Sequence, residues 1–172
     1  MPTITRLTAE ELPAHVPGLA DLLIDATDDG ASVGFLAPLA HEQAAAWWAS
    51  FAPALADDGI VLWVAHEDGR VVGTIQLRLS EYPNGRHRGE IAKLLVHRDA
   101  RGRGLARRLL AAAEESAAAS GRTLLLLDTE TGSTAENLYR TAGWTSFGTV
   151  PDHSADPSGI LKPTTFFHKS LT

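Results

Sequence analysis

Two spacings of apolar residues divide this chain into elements. Thr3–Leu7 alternates polar and apolar positions like a short strand, and Gln76 and Arg78 alternate against Leu77 and Leu79 within Val71–Leu79. Ile60–His66 (IVLWVAH) is a more continuously apolar strand, joined to Val71–Leu79 by the hairpin turn Glu67-Asp68-Gly69-Arg70. Helical spacing takes over at Leu19–Ala26, where Leu19, Leu22, Leu23 and Ala26 share a face. A capping box with Thr8 as N-cap and Glu11 reaching back announces that helix, Pro13 and Pro17 make its opening irregular, and Asp28-Asp29-Gly30 ends it. The apolar loop Ala31–Leu39 either lines a pocket or plugs the core. His41–Ala56, rich in Ala and carrying Trp47 and Trp48, reads as a second helix, kinked or ended near Pro53.

Pro83-Asn84-Gly85 turns the chain into a central buried strand, Glu90–His97. A long helix follows from Leu105 to Ser120, with Leu105, Leu109 and Ala112 or Ala113 on one face and Gly121 as its stop. The four leucines of Leu124–Asp128 predict a strand buried on both faces. Ser133 and Glu136 form a second capping box, opening a short helix through Thr141 that Gly143 closes. Trp144–Val150 and Thr164–Leu171 are two further strands, separated by a polar segment of Pro, Gly and Asp. The order β-α-α-β-β-β-α-β-α-β-β predicts an α/β (α+β) fold: a mixed, mostly antiparallel twisted sheet of about seven strands with helices on both faces. With no repeat and no linker in view, residues 1–172 are expected to form a single domain.

Composition narrows the function classes. Hydrophobic residues make up 44% of the 172 and charged residues 21%, ordinary for a globular protein. A net charge of −6 argues against nucleic-acid or anionic-membrane binding, and it makes the basic run Arg98–Arg108 stand out. The absence of cysteine excludes disulfides, zinc-thiolate sites and Cys nucleophiles. The seven histidines show no ligand spacing, so no metal is expected. The start MPTITRLTAEEL lacks the basic and apolar runs of a signal peptide, and no apolar run approaches the ~20 residues of a membrane span. The expected location is the cytoplasm.

The basic run is a glycine-punctuated turn, Arg98–Gly104, between the central strand and the long helix. Gly102 and Gly104 allow a sharp bend, the helix start points free N–H groups at the same spot, and Arg101 and Arg103 add positive charge. Such a turn suits an anion, most naturally a phosphate or diphosphate. A dinucleotide fingerprint would need glycine where Arg107 stands, and a P-loop would need Lys-Ser/Thr where Leu105-Ala106 follows Gly104. Arg101-Gly102-Arg103-Gly104-Leu105-Ala106 instead fits the pattern Arg/Gln-x-x-Gly-x-Gly/Ala. In this segment the chain resembles the GNAT superfamily of acetyl-CoA-dependent N-acetyltransferases, and Tyr139–Trp144 is similar to that family's Tyr-x-x-x-Gly-Phe ending. GASVGF (30–35), PNG (83–85), the ARGRGL run and the LLD-TE-GS-AE pattern of 126–136 resemble the tabtoxin-resistance branch, whose members acetylate the amine of a β-lactam toxin.

The resemblance implies acetyl-CoA as co-substrate, with the amides of Arg101, Gly102, Arg103, Gly104, Leu105 and Ala106 on its diphosphate. It also implies that the main chain of Leu95, Val96 and His97 bonds the pantetheine arm like an added strand, the Val96 N–H facing the thioester oxygen. Acetyl transfer further needs a deprotonated amine and a proton for the leaving thiolate. Glu90, eleven residues ahead of Arg101, stands where several GNAT enzymes carry a catalytic glutamate; alternatively it pairs with Arg88 or Lys93. Asp128 ends the leucine strand, where burial would favour its neutral form unless a cation sits beside it; it serves as the base or caps the next turn. Tyr139 is placed to protonate the thiolate, or else packs between helix and sheet. Gly132 stands where many members have a cofactor-contacting Asn, a role Ser133 fills in part. Ser32 and Phe35 are expected to shape the substrate pocket, and Trp47, Trp48 and Trp63 to lie in the core. The expected partner is a small-molecule amine, not nucleic acid or membrane, and the protein is expected as a monomer or homodimer. A non-catalytic acyl-CoA sensor and a protein acetyltransferase are the competing readings.

Overall fold

The computed structural model describes residues 1–171. Strands β1 (Thr3–Leu7), β2 (Ile60–Glu67), β3 (Arg70–Leu79), β4 (Arg88–Val96), β5 (Leu124–Glu130), β6 (Thr145–Ala155) and β7 (Leu161–Ser170) build one sheet, ordered β1-β2-β3-β4-β5-β7-β6. Every neighbouring pair is antiparallel except β4 with β5. That parallel pair requires a crossover, which α4 (Leu105–Ala119) supplies. One sheet face carries α4 and α5 (Thr134–Thr141); Leu105, Leu109 and Leu110 pack there on Ile75, Ile91, Leu125 and Phe167. The other face carries α1 (Leu12–Asp28), α2 (His41–Ala49) and α3 (Ala52–Ala56); Leu19, Leu23 and Trp48 pack there with Leu62, Val64 and Leu95. Among the described residues no helix is long and apolar enough to cross a membrane.

Several boundaries differ from expectation. Thr8 and Glu11 make their reciprocal bonds (Thr8 N–H to Glu11 Oε2 2.8 Å, Glu11 N–H to Thr8 Oγ1 3.3 Å), yet these close a turn ahead of α1. The helix itself starts at Leu12, with Pro13 in its first turn, and continues through Pro17. The expected second helix breaks at Ser50–Phe51 into α2 and α3, and Pro53 takes a first-turn position of α3. The polar segment ahead of the last strand is itself largely strand, because register shifts between Val150 and Ser154 absorb Pro151 and Asp152 without ending the ladder. β5 is not buried on both faces: Leu125 and Leu127 are buried, Leu124 and Leu126 only half so, and Asp128 is exposed. Its second side chain row faces no helix, since the α1 core includes no residue of β5.

Two irregularities of β4 position everything that follows. β4 and β5 pair only at Arg88–Leu124, Gly89–Leu125 and Glu90–Leu126, although β4 continues to Val96 and β5 to Glu130. The sheet therefore forks beyond Glu90. Opposite the fork, β4 carries a bulge: Ala92 faces Gln76 and Leu95 faces Thr74, so Lys93 and Leu94 together oppose Ile75. The extra residue explains why Ile91 packs under α4 while Leu95, at the same parity, packs under α1.

Candidate active site

The turn after β4 presents main chain. Gly102 (φ +74°) and Gly104 (φ +76°) both occupy the left-handed region, and Gly104 is the N-cap of α4. A Cβ at either would meet nothing within 4 Å, so the requirement is conformational and not one of space. Among the described residues no acceptor meets the amides of Gly102, Arg103, Gly104, Leu105 or Ala106. The arginines look elsewhere. Arg98 pairs with Asp25, Arg101 with Asp29 and the Val96 carbonyl (3.0 Å), and Arg103 grips both Glu67 oxygens at 2.9 and 2.6 Å. The hydrogen bonds from Arg101 and Arg103 hold Asp29 and Glu67 below the usual carboxylate range. The positive charge expected to face an anion is thus directed at carboxylates of α1, its C-cap and β2.

Of the three residues expected to meet an added strand, His97 has both main-chain groups engaged. Its N–H donates to the Val72 carbonyl (2.9 Å), and its carbonyl accepts from the Ala100 N–H (2.8 Å). Leu95 and Val96 lie on the forked stretch of β4, past its last pair with β5.

The fork has the three acid–base candidates around it, on two faces. Glu90 is in the last β4–β5 pair, with Leu126, and Asp128 is two residues further on the same face of β5. Both belong to the α1 face. Arg78 on β3 stands opposite Glu90, with Nη1 3.8 Å from Oε1, and its guanidinium also donates to Gln76 Oε1 at 3.2 and 3.3 Å. Gln76 is fully buried and its Nε2 has no partner. Glu90 thus pairs with Arg78, and not with Arg88 or Lys93 as the sequence suggested. Tyr139 approaches from the α4 face, packed at 6.0 Å on Trp144 and 6.1 Å on Phe167. Burial, and secondarily the charge of Asp128, pushes its pKa well up, so the phenol keeps its proton. Its hydroxyl makes no hydrogen bond to another described residue.

Ser133 caps α5: its Oγ accepts the Glu136 N–H at 3.1 Å. Glu136 returns not to Ser133 but to the Gly132 N–H (2.7 Å), with Gly132 at φ +80°. Phe35 meets Trp47 edge-on at 5.3 Å, and Ala37 N–H donates to the Pro157 carbonyl at 2.9 Å, tying the loop 31–39 to the β6–β7 hairpin. Ser32 is half-buried in that loop. Trp48 and Trp63 are core, whereas Trp47 is only half-buried.

Lys93, which the sequence offered only as an ion-pair partner for Glu90, joins the site in its own right. It sits in the bulge with φ +51°, and its Nζ lies 5.4 Å from the centre of the Trp47 ring, on the α1 face. Burial, helped by Arg78, lowers its pKa, while Asp128 and Glu90 act in the opposite sense. A lysine inside the apolar run IAKLLV was the available signal.

A family model described as acetyltransferase (GNAT) family matches residues 20–144, well over half of the chain. Among solved structures, a ribosomal-protein-alanine N-acetyltransferase from Brucella melitensis is 26% identical, covering 98% of this chain and 99% of its own, with TM-score 0.77. An N-acetyltransferase from Staphylococcus aureus Mu50 is 20% identical over 100% and 99% of the two chains, with TM-score 0.80. A phosphinothricin acetyltransferase from Sinorhizobium meliloti, solved in complex with AcCoA, is 17% identical over 99% and 88%, with TM-score 0.78.

Proposed function

The chain belongs to the GNAT acetyltransferase family, and from that premise we propose that it moves the acetyl group of acetyl-CoA directly onto a primary amine of a small molecule. The acceptor class is a β-lactam toxin or an amino-acid-like compound. The observation that carries the reading is the fork: β4–β5 pairing ends at Glu90–Leu126, and two carboxylates and a tyrosine flank the gap from opposite faces. The resemblance of residues 30–35 and 126–136 to the tabtoxin-resistance branch supports a toxin-like amine. Residues 1–172 act as one cytoplasmic domain, monomeric or homodimeric, without nucleic acid or membrane.

Acetyl-CoA supplies the activated thioester. The unpartnered amides of Gly102–Ala106 fit its diphosphate, since donors left without acceptors at a helix start attract an anion. The main chain of Leu95 and Val96, past the end of the β4–β5 ladder, suits the pantetheine arm. Glu90 or Asp128 takes a proton from the substrate ammonium, directly or through water, freeing the lone pair that attacks the acetyl carbon. As nitrogen–carbon bonding replaces the carbon–sulfur bond, Tyr139 donates its O–H to the departing sulfur and is reprotonated, directly or through water, by the second proton that the nitrogen sheds on becoming an amide. Its raised pKa fits a hydrogen-bond donor that regains its proton quickly, because a lasting phenolate beside Asp128 is disfavoured.

Thiol release from acetyl-CoA, measured across amino-acid, toxin-like, polyamine and peptide amines, tests the reading. Turnover with a small amine is the expected result. Acetyl-CoA binding with no turnover on any amine would favour the non-catalytic sensor, and turnover only on peptides would favour a protein acetyltransferase.

A further inference from the structure

We infer that Lys93 binds an acidic group on the acceptor molecule, so that the substrate is an amine that also bears a carboxylate or similar oxyanion. This rests on the acetyltransferase reading and specifies its acceptor side.

Four observations converge on Lys93. The bulge holds a non-glycine residue at φ +51°, a conformation that L side chains rarely adopt and that recurs where the surrounding structure serves a site. Through it the side chain turns to the α1 face, the face of Glu90 and Asp128. Next, among the described residues no carboxylate lies within 4 Å of its Nζ and no acceptor bonds it; the ammonium stands 5.4 Å from the centre of the Trp47 indole. An ammonium has three donors to place, and here none of them is taken by a protein acceptor, so they stay available to a ligand. Third, the other cation at the fork is engaged: Arg78 holds Gln76 and Glu90. Lys93 is therefore the cation open to a ligand, with Glu90 and Asp128 near enough to act on it electrostatically without contact. Finally, the loop 31–39 passes Lys93 at Gly34 (φ +98°), so no side chain stands between main chain and ammonium.

The result is a patch with two carboxylates for a substrate ammonium and one ammonium without a protein acceptor for a substrate oxyanion. An oxyanion there would give Lys93 the acceptor it lacks. A neutral or purely cationic amine would leave it unmatched.

The test compares amino acids with their primary amides as acceptors, in wild type, Lys93→Gln and Lys93→Arg, by thiol release, with acetyl-CoA affinity followed by calorimetry. In wild type the best free acid should exceed its amide by about tenfold to a hundredfold in kcat/KM, the scale of a hydrogen bond to a charged group. In Lys93→Gln the acid should fall to the level of its amide, mainly through KM, while acetyl-CoA affinity holds; Lys93→Arg should keep part of the preference. Equal rates for acid and amide in wild type, or equal losses on both in Lys93→Gln, overturn the inference. Acetylation of polyamines or amides in preference to every free acid overturns it while leaving the transferase reading intact. Failure to bind acetyl-CoA, or binding without turnover of any amine, removes both.

Discussion

The turn that follows β4 and the fork that β4 borders are built on opposite principles. The turn is contiguous: the five residues from Gly102 to Ala106 offer main-chain N–H groups, the Arg101 N–H expected among them donating instead to the Arg98 carbonyl (3.4 Å), and only the glycines at φ +74° and +76° are demanding in identity. The fork is assembled from distant pieces: Gln76 and Arg78 on β3, Glu90 and Lys93 on β4, Asp128 on β5, Tyr139 on α5 and Trp47 on α2. The first, as proposed, suits one shape of anion through main chain alone. The second depends on which side chains happen to meet, and the proposed function puts acceptor choice there. Substitutions at the fork should therefore change turnover and amine preference, and substitutions in the turn should change acetyl-CoA affinity.

The largest effects are expected at the fork. Of Glu90→Gln and Asp128→Asn, the one that removes the working base should lower kcat about 10²–10⁴-fold, the usual scale of general-base catalysis. The other should cost only a few-fold, and steady-state kinetics with acetyl-CoA and the best amine would separate them. Tyr139→Phe should lower kcat by about 10²-fold with little change in acetyl-CoA affinity. Unaltered turnover would reduce Tyr139 to a packing residue.

The same contrast decides what was legible in the sequence. A contiguous motif that relies on backbone conformation leaves its mark in order and spacing, and Gly102 and Gly104 announced the turn as the structure has it. The element order and the seven-stranded sheet were legible for the same reason, because local periodicity fixes each element and short connections fix neighbours. The fork was not legible as geometry. Its opening depends on where pairing between β4 and β5 stops, which no local pattern encodes. Asp128 misled because four leucines imply burial on both faces, whereas one face of β5 looks into the gap. Lys93 escaped because a bulge is a property of two strands together. The arginines of the turn also read differently once folded, since their partners Asp25, Asp29 and Glu67 come from α1, its C-cap and β2.

A smaller effect is expected in the turn itself. Gly104→Ala places a Cβ in the left-handed region, which costs about 1 kcal/mol and lowers thermal stability modestly. Because that Cβ meets nothing in the protein, any additional loss must come from whatever docks on the amides. Acetyl-CoA affinity should fall about tenfold by calorimetry, with acid-over-amide preference unchanged. A melting shift with unaltered affinity would make the turn a joint and not a binding site.

The smallest effect tests whether the turn's arginines serve structure. Glu67 is held below the usual carboxylate range by the hydrogen bonds from Arg103, so its folded pKa lies beneath the unfolded value of 4.5. A depressed carboxylate pKa contributes stability that is fully present above the unfolded value and lost as pH falls through the folded one. The pair is exposed to solvent, so the contribution is small and screened by salt. Glu67→Gln should therefore melt only slightly below wild type at pH 7, and the two curves should converge as pH drops below about 4.5. Acetyl-CoA affinity should not weaken in that variant, because Arg103 loses a competitor for anions and the amides are untouched. Weakened affinity would mean that Glu67, by anchoring Arg103, holds the turn in its binding shape, and the separation between a main-chain turn and a side-chain fork would narrow accordingly.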